Sequence, residues 1–236
     1  MKENRLERIE YNIERIKEEI ADACARSGRS IDEVKIMAVT KTVPCEEVNF
    51  AISKGITLLG ENRAQEMLSK YEMYLPEAEI HFIGALQSNK VKYVIDKVKM
   101  IQSVDSVKLA AEISKRAQIC GIEMGALVEI NVGAEESKSG IELAKAEEMI
   151  CEIAEMKGIK VRGLMTIPPI CENSAESRKF FENMRRLFVD IKGKKIDNVS
   201  MDVLSMGMSG DYVEAIEHGT NIVRLGRAIF GERKYV

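Results

Sequence analysis

Lys41 ends the apolar run Ile36-Met37-Ala38-Val39-Thr40 and is followed at once by the turn Thr42-Val43-Pro44. A lysine placed where a β-strand feeds into a helix can sit at the mouth of an α/β barrel, partly out of water. Desolvation favours the neutral amine, and a neutral amine condenses with aldehydes. The far end of the chain supplies a complementary pair of segments. Ser205-Met206-Gly207-Met208-Ser209-Gly210-Asp211 interleaves hydroxyls and glycines ahead of a helix, and Val223-Arg224-Leu225-Gly226-Arg227-Ala228 closes a strand with a second glycine turn. Such turns offer hydroxyls, backbone N–H groups and a positive dipole end to an anion. An amine and a phosphate cradle together point to a phosphorylated aldehyde, of which pyridoxal phosphate is the obvious one.

Arg224 lies near the end of the last strand, between Val223 and Leu225. It can pair with a carboxylate at the rim or face a pyridine nitrogen. In the second case it donates a hydrogen bond but does not readily give up its proton, so the ring is a poor electron sink. His81, inside Ile80-His81-Phe82-Ile83-Gly84, reads as a buried, hydrogen-bonded core histidine, and His218 before Gly219 as a helix-end cap. The loop Ser137-Lys138-Ser139-Gly140 can reach an anion at the site or be an exposed basic loop.

The elements that must position these groups are legible in the apolar pattern. Leu6, Ile9, Ile13, Ile16, Ile20 and Ala23 recur at steps of three and four, which predicts an N-terminal helix over 3–26 packed on the rest of the chain. Strands are expected at 36–40, 56–59, 80–83, 99–102, 126–131, 160–165, 200–204 and 221–225. Helices are expected near 44–54, 61–74, 88–97, 105–119, 141–157, 173–192 and 209–218. Runs such as Ala126-Leu127-Val128-Glu129-Ile130 lack polar alternation, as parallel strands covered on both faces do. Eight such repeats predict a single α/β domain over 1–236, a (β/α)₈ TIM-type barrel with an extra N-terminal helix. An open doubly wound sheet is the competitor, weakened by the lack of G-x-G-x-x-G after the first strand. In a barrel the strand ends bring Lys41, Glu61, Asn62, Gly84, Asn131, Thr166, Ser205, Arg224 and Gly226 to one face.

Composition narrows the function. The 236 residues are 45% hydrophobic and 31% charged with a formal net charge of −3, which gives no electrostatic reason to bind nucleic acid or an anionic membrane. No apolar stretch approaches the roughly 20 residues that span a bilayer. The charged start Met1-Lys2-Glu3-Asn4-Arg5 is not a secretion signal. Five scattered cysteines without a C-x-x-C pair favour reduced thiols in a cytoplasmic protein over zinc or disulfides.

Taken in order, several segments resemble the pyridoxal phosphate homeostasis protein family, whose members are similar to the N-terminal domain of alanine racemase. They are Ala38-Val39-Thr40-Lys41-Thr42, Gly60-Glu61-Asn62, the run from His81 to Lys90, Ser137 to Ile141, Arg162 to Pro168, Leu204 to Ser209 and Val223 to Gly231. The resemblance implies pyridoxal phosphate held as a Schiff base on Lys41, with Asn62 near the ring. It places Ser205, Met208, Ser209 and the backbone of Gly226 and Arg227 around the phosphate, and Arg224 against the pyridine nitrogen. It implies a protein that buffers the cofactor and is able to hand it to apo-enzymes, without catalytic residues of its own; a monomer is expected, since no obvious apolar interface remains once helix 6–23 is packed. A weak amino-acid racemase is the alternative, with a lysine-dependent aldolase ranked below it; racemisation needs a second base opposite Lys41, and no partner for that role is evident.

Overall fold

The computed structural model describes residues 2–135, 138–169 and 174–232. After the helix α1 (Lys2–Arg26) come strands β1 (Lys35–Val39), β2 (Leu58–Glu61), β3 (Glu79–Phe82), β4 (Met100–Val104), β5 (Met124–Asn131), β6 (Ile141–Glu142), β7 (Ile159–Thr166), β8 (Val199–Ser205) and β9 (Ile222–Leu225). They pair in the order β4-β3-β2-β1-β9-β8-β7-β5, all parallel, and a further β4–β5 ladder closes the ring. That ladder decides for the barrel against the open sheet. β4 accompanies β5 only as far as Val128, and the short β6 pairs with Ile130 and Asn131 beyond it.

Each expected strand is present, displaced by at most two residues. The helices outside the ring are α2 (Cys45–Ser53), α3 (Ala64–Lys70), α4 (Val91–Val94), α5 (Val107–Cys120), α6 (Ala146–Ala154), α7 (Ser174–Lys194), α8 (Tyr212–Glu217) and α9 (Arg227–Phe230). Several are shorter than the periodicity suggested. The expected helix over 61–74 begins only at Ala64, because Glu61 belongs to β2. β6 and α9 were not anticipated, since two and four residues are too few to carry a period.

α1 carries its apolar stripe as expected: Ile9, Ile13, Ile16, Ile20 and Ala23 are all at most 1% exposed. Burying each isoleucine contributes about 1.5–3 kcal/mol, so the helix belongs to the core rather than decorating it. It packs against α2, α8 and α9. The strands show their alternation on the inner side of the ring. Met37, Leu58, Ile83 and Ile222 fill one part of the lumen and Met100, Leu127 and Met165 another, with Val39 and Val203 packed on them. Ala38, Leu59, Ile101, Ala126 and Leu204 face the helices instead. No helix among the described residues is long and apolar enough to cross a membrane.

Candidate functional site

Met37 and Val39 point into the lumen, and Lys41 follows two residues beyond Val39 at the same end of the strand. Lys41 lies just beyond the strand, in a turn, and is half-buried. Both of its neighbours are clamped. The Thr40 hydroxyl, fully buried, donates to Glu61 Oε1 at 2.7 Å. The Thr42 N–H donates to Glu66 Oε1 at 2.5 Å, and Lys70 pairs with the same carboxylate at 2.6 Å. Thr42 has φ 64°, a left-handed conformation that β-branched residues rarely adopt and that costs about 1–3 kcal/mol. A strained turn held by a carboxylate fixes where the lysine leaves the strand.

Glu61 is the hub of the wall behind Lys41. Its Oε1 also accepts from the Tyr74 hydroxyl at 2.5 Å, while Oε2 is buried without a hydrogen-bond partner. Burial pushes the Glu61 carboxyl up, against the pull of Tyr74, Thr40 and Lys70. Beside it, Asn62 continues the β1–β2 register, in which Val39 faces Gly60, and so falls next to Lys41. Asn62 Oδ1 is buried and also lacks a partner. Gly84 allows this arrangement, since a Cβ there would overlap the Asn62 carbonyl.

On the adjoining strand β9, level with Met37, Arg224 is 4% exposed and donates to Ser205 Oγ at 2.8 Å and to the Thr166 carbonyl at 2.7 Å. Burial lowers its pKa to about 10, countered by the negative charges of Glu129 and Asp211, so it remains a cation at neutral pH. Ser205 is fully buried and its hydroxyl donates onward to Gln102 Oε1 at 2.7 Å. The expectation that Ser205 grips a phosphate therefore meets a hydroxyl already engaged on both sides within the lumen.

Ser209 is placed differently. Its Oγ accepts from the Ala228 N–H at 3.1 Å, and the Arg224 N–H donates to the Gly207 carbonyl at 2.9 Å. These two bonds lace the turn after β8 to the turn after β9 and bring Met208, Ser209, Gly226 and Arg227 together. Gly207 has φ 89°, which lets the first turn reverse sharply under Tyr212. The Met208 N–H is taken by Asp211 Oδ1 at 2.6 Å. The Arg227 side chain is exposed to solvent, so its backbone alone lies in the turn.

Two polar groups of the lumen escaped the sequence reading. Glu129 is 6% exposed, and its pKa is pushed up to about 7 by burial and by Asp105, against the opposing pull of Arg224. Gln102 is fully buried between Ser205 and His81. Each follows an inward apolar residue two positions earlier, Met100 before Gln102 and Leu127 before Glu129; that alternation is the available signal. His81 is the buried, bonded histidine expected, and His218 caps α8 with Nδ1 2.7 Å from the Glu214 carbonyl. Lys138 reaches the Pro168 carbonyl at 3.3 Å and Glu135 at 2.7 Å, while Ser137 lies outside the described residues.

Comparison with known proteins places this geometry in a family. Residues 5–234 match the model of the alanine racemase N-terminal domain. The pyridoxal phosphate homeostasis protein of Aquifex aeolicus is 45% identical over 224 residues, which is 94% of this chain and 97% of that protein. The crystal structure of an unknown protein from Bifidobacterium adolescentis superposes with a TM-score of 0.91 at 37% identity, over 96% of each chain. PipY of Synechococcus elongatus, solved with pyridoxal phosphate bound, superposes at 0.78 with 28% identity, over 90% of this chain and all of that one. The chain is a member of the pyridoxal phosphate homeostasis protein family, built on the alanine racemase N-terminal domain fold.

Proposed function

We propose that this chain, as one barrel domain over 1–236, binds pyridoxal 5′-phosphate at the mouth and serves its homeostasis in the cytoplasm as a reversible carrier that can release the cofactor to apo-enzymes. The observation that carries the reading is the grouping of Lys41, the unpartnered buried oxygen of Asn62 and the Arg224 cation with two laced glycine turns. The residues fit the group: an amine, an acceptor in need of a donor, a cation for a ring nitrogen and an anion cradle. Bound here, the cofactor would supply an aldehyde, and Lys41 Nζ would be the amine to hold it as a Schiff base. Ser209 and the backbone of Gly226 and Arg227 hold the phosphate, with Met208 beside it, while Ser205 supports Arg224 from below. Arg224 stays protonated, and its N–H groups orient the ring without passing on a proton.

The names of the relatives and the cofactor in PipY support this role. The alternative, weak racemisation, is favoured by no separate observation. A monomer suffices for the reading. Borohydride reduction of the cofactor-loaded protein followed by digestion should leave a pyridoxyl group on the Lys41 peptide. An adduct mainly on Lys90 or Lys138 would refute the assignment, and rapid D-amino acid formation lost in Lys41→Ala would replace the carrier with an enzyme.

A further inference from the structure

The lumen holds a continuous hydrogen-bonded chain from the mouth to the opposite end of the barrel. Arg224 Nη1 lies 2.8 Å from Ser205 Oγ, Ser205 Oγ 2.7 Å from Gln102 Oε1, Gln102 Nε2 2.9 Å from His81 Nδ1, and His81 Nε2 3.0 Å from Glu79 Oε1. Arg224, Ser205, Gln102 and His81 are each at most 4% exposed. Glu79 opens β3 at the floor, where it borders a cavity of about 420 Å³ together with Lys17, Lys35 and Leu58.

The chemistry of the groups fixes the direction of every bond. A guanidinium only donates, so Ser205 Oγ accepts from Arg224 and its own proton goes to Gln102 Oε1. The Gln102 amide N–H then donates to His81 Nδ1, which leaves the imidazole proton on Nε2, facing Glu79. The reverse orientation of the Gln102 amide would aim two N–H donors at Ser205 Oγ and strand the serine proton. All donors therefore point one way, from a cation at the mouth to a carboxylate at the floor. Bonds aligned in this manner polarise and strengthen one another, and the charged ends make the terminal links stronger still.

We propose that Gln102 and His81, anchored by Glu79, are positioning residues that set the guanidinium of Arg224 and thereby the hold on the cofactor ring. This rests on the reading that Arg224 faces that ring. An arginine has several rotatable bonds, and a lumen carbonyl alone does not choose among its rotamers. The chain supplies the second fixed point, Ser205 Oγ, whose lone pair is available only while its proton is accepted by Gln102.

The test measures the absorption band of bound pyridoxal phosphate and its rate of loss on dilution in wild type, Gln102→Leu, Glu79→Gln, Arg224→Lys and the floor control Lys17→Gln. The fold of each is checked by circular dichroism. Gln102→Leu should shift the band and release cofactor about tenfold faster, the equivalent of about 1.4 kcal/mol. Glu79→Gln, which keeps a half-exposed side chain of the same size, should move both readouts the same way by about twofold; Lys17→Gln should move neither. If Gln102→Leu does not fold, Glu79→Gln decides alone. Wild-type behaviour of Gln102→Leu and Glu79→Gln beside an altered Arg224→Lys would overturn the positioning chain and leave the binding reading intact. An unaltered Arg224→Lys would remove both the chain's role and the place given to Arg224, and a wild-type protein without a cofactor band would remove the binding reading itself.

Discussion

The two sides of the mouth solve the burial of polar groups in opposite ways. On the β8–β9 side, the path from Arg224 to Glu79 satisfies each member and ends in opposite charges. On the β1–β2 side, Thr40 and Tyr74 converge on one oxygen of Glu61, while the other oxygen and the amide oxygen of Asn62 are buried without a partner. A satisfied network holds its geometry whether or not a ligand arrives. An unsatisfied one carries a desolvation penalty of about 1–3 kcal/mol per group until something supplies the missing bond. The comparison teaches that the barrel fixes the Arg224 cation in advance and leaves buried acceptors unfilled on the side where β1 and β2 end.

Three substitutions sharpen or break that contrast. The largest effect is expected at Glu129, a lumen carboxyl with a pKa of about 7 against an ordinary 4.5. Because the folded value is raised, its favourable contribution is complete below about pH 4.5 and is lost as the pH climbs through 7. The shift corresponds to about 3 kcal/mol at alkaline pH. Glu129→Gln should remove that loss, so chemical denaturation should show the variant more stable than wild type at pH 8.5 and nearly equal at pH 5. Equal curves at both values would show that Arg224 already neutralises the carboxylate.

The next effect is at Tyr74. Tyr74→Phe takes away one of two donors to Glu61 Oε1 and should cost about 1–2 kcal/mol in urea unfolding. If the phenylalanine variant is as stable as wild type, the wall behind Lys41 is less dependent on its hydrogen bonds than the asymmetry implies. The smallest effect is at Thr42. Thr42→Gly relieves a left-handed β-branched residue but adds freedom to the unfolded chain, so a net gain of about 0.5–1 kcal/mol is expected. A loss instead would mean that the methyl and hydroxyl of Thr42 do more for the turn than its backbone angle takes away.

The barrel and its strand ends were open to a reading of the sequence because parallel strands and their helices write two distinct periods into the chain. Lys41, Asn62, Ser209 and Arg224 could be named since strand ends in such a barrel converge whatever the details. The partners of those groups could not. Ser205 and Ser209 look alike in a glycine-rich run, yet the first closes β8 facing the lumen and the second lies four residues on, beyond the turn at Gly207. Gln102 of β4 and Glu129 of β5 face Ser205 of β8 and Arg224 of β9 only because the ring is closed. The strained Thr42 is invisible to any pattern of residue types.

The docking of α1 carries a consequence for how the molecule is made. The side chain of Asn12 reaches the Ile229 carbonyl at 2.9 Å, and Arg26 pairs with Glu217 at 2.8 Å, so a helix near the start is completed by elements near the end. During synthesis at about 5–20 residues per second, the stripe from Ile9 to Ala23 waits on the order of 10–40 s for its cover. For that interval the nascent chain presents a sticky amphipathic rod, and factors that shield emerging polypeptides should meet it before the ring can close.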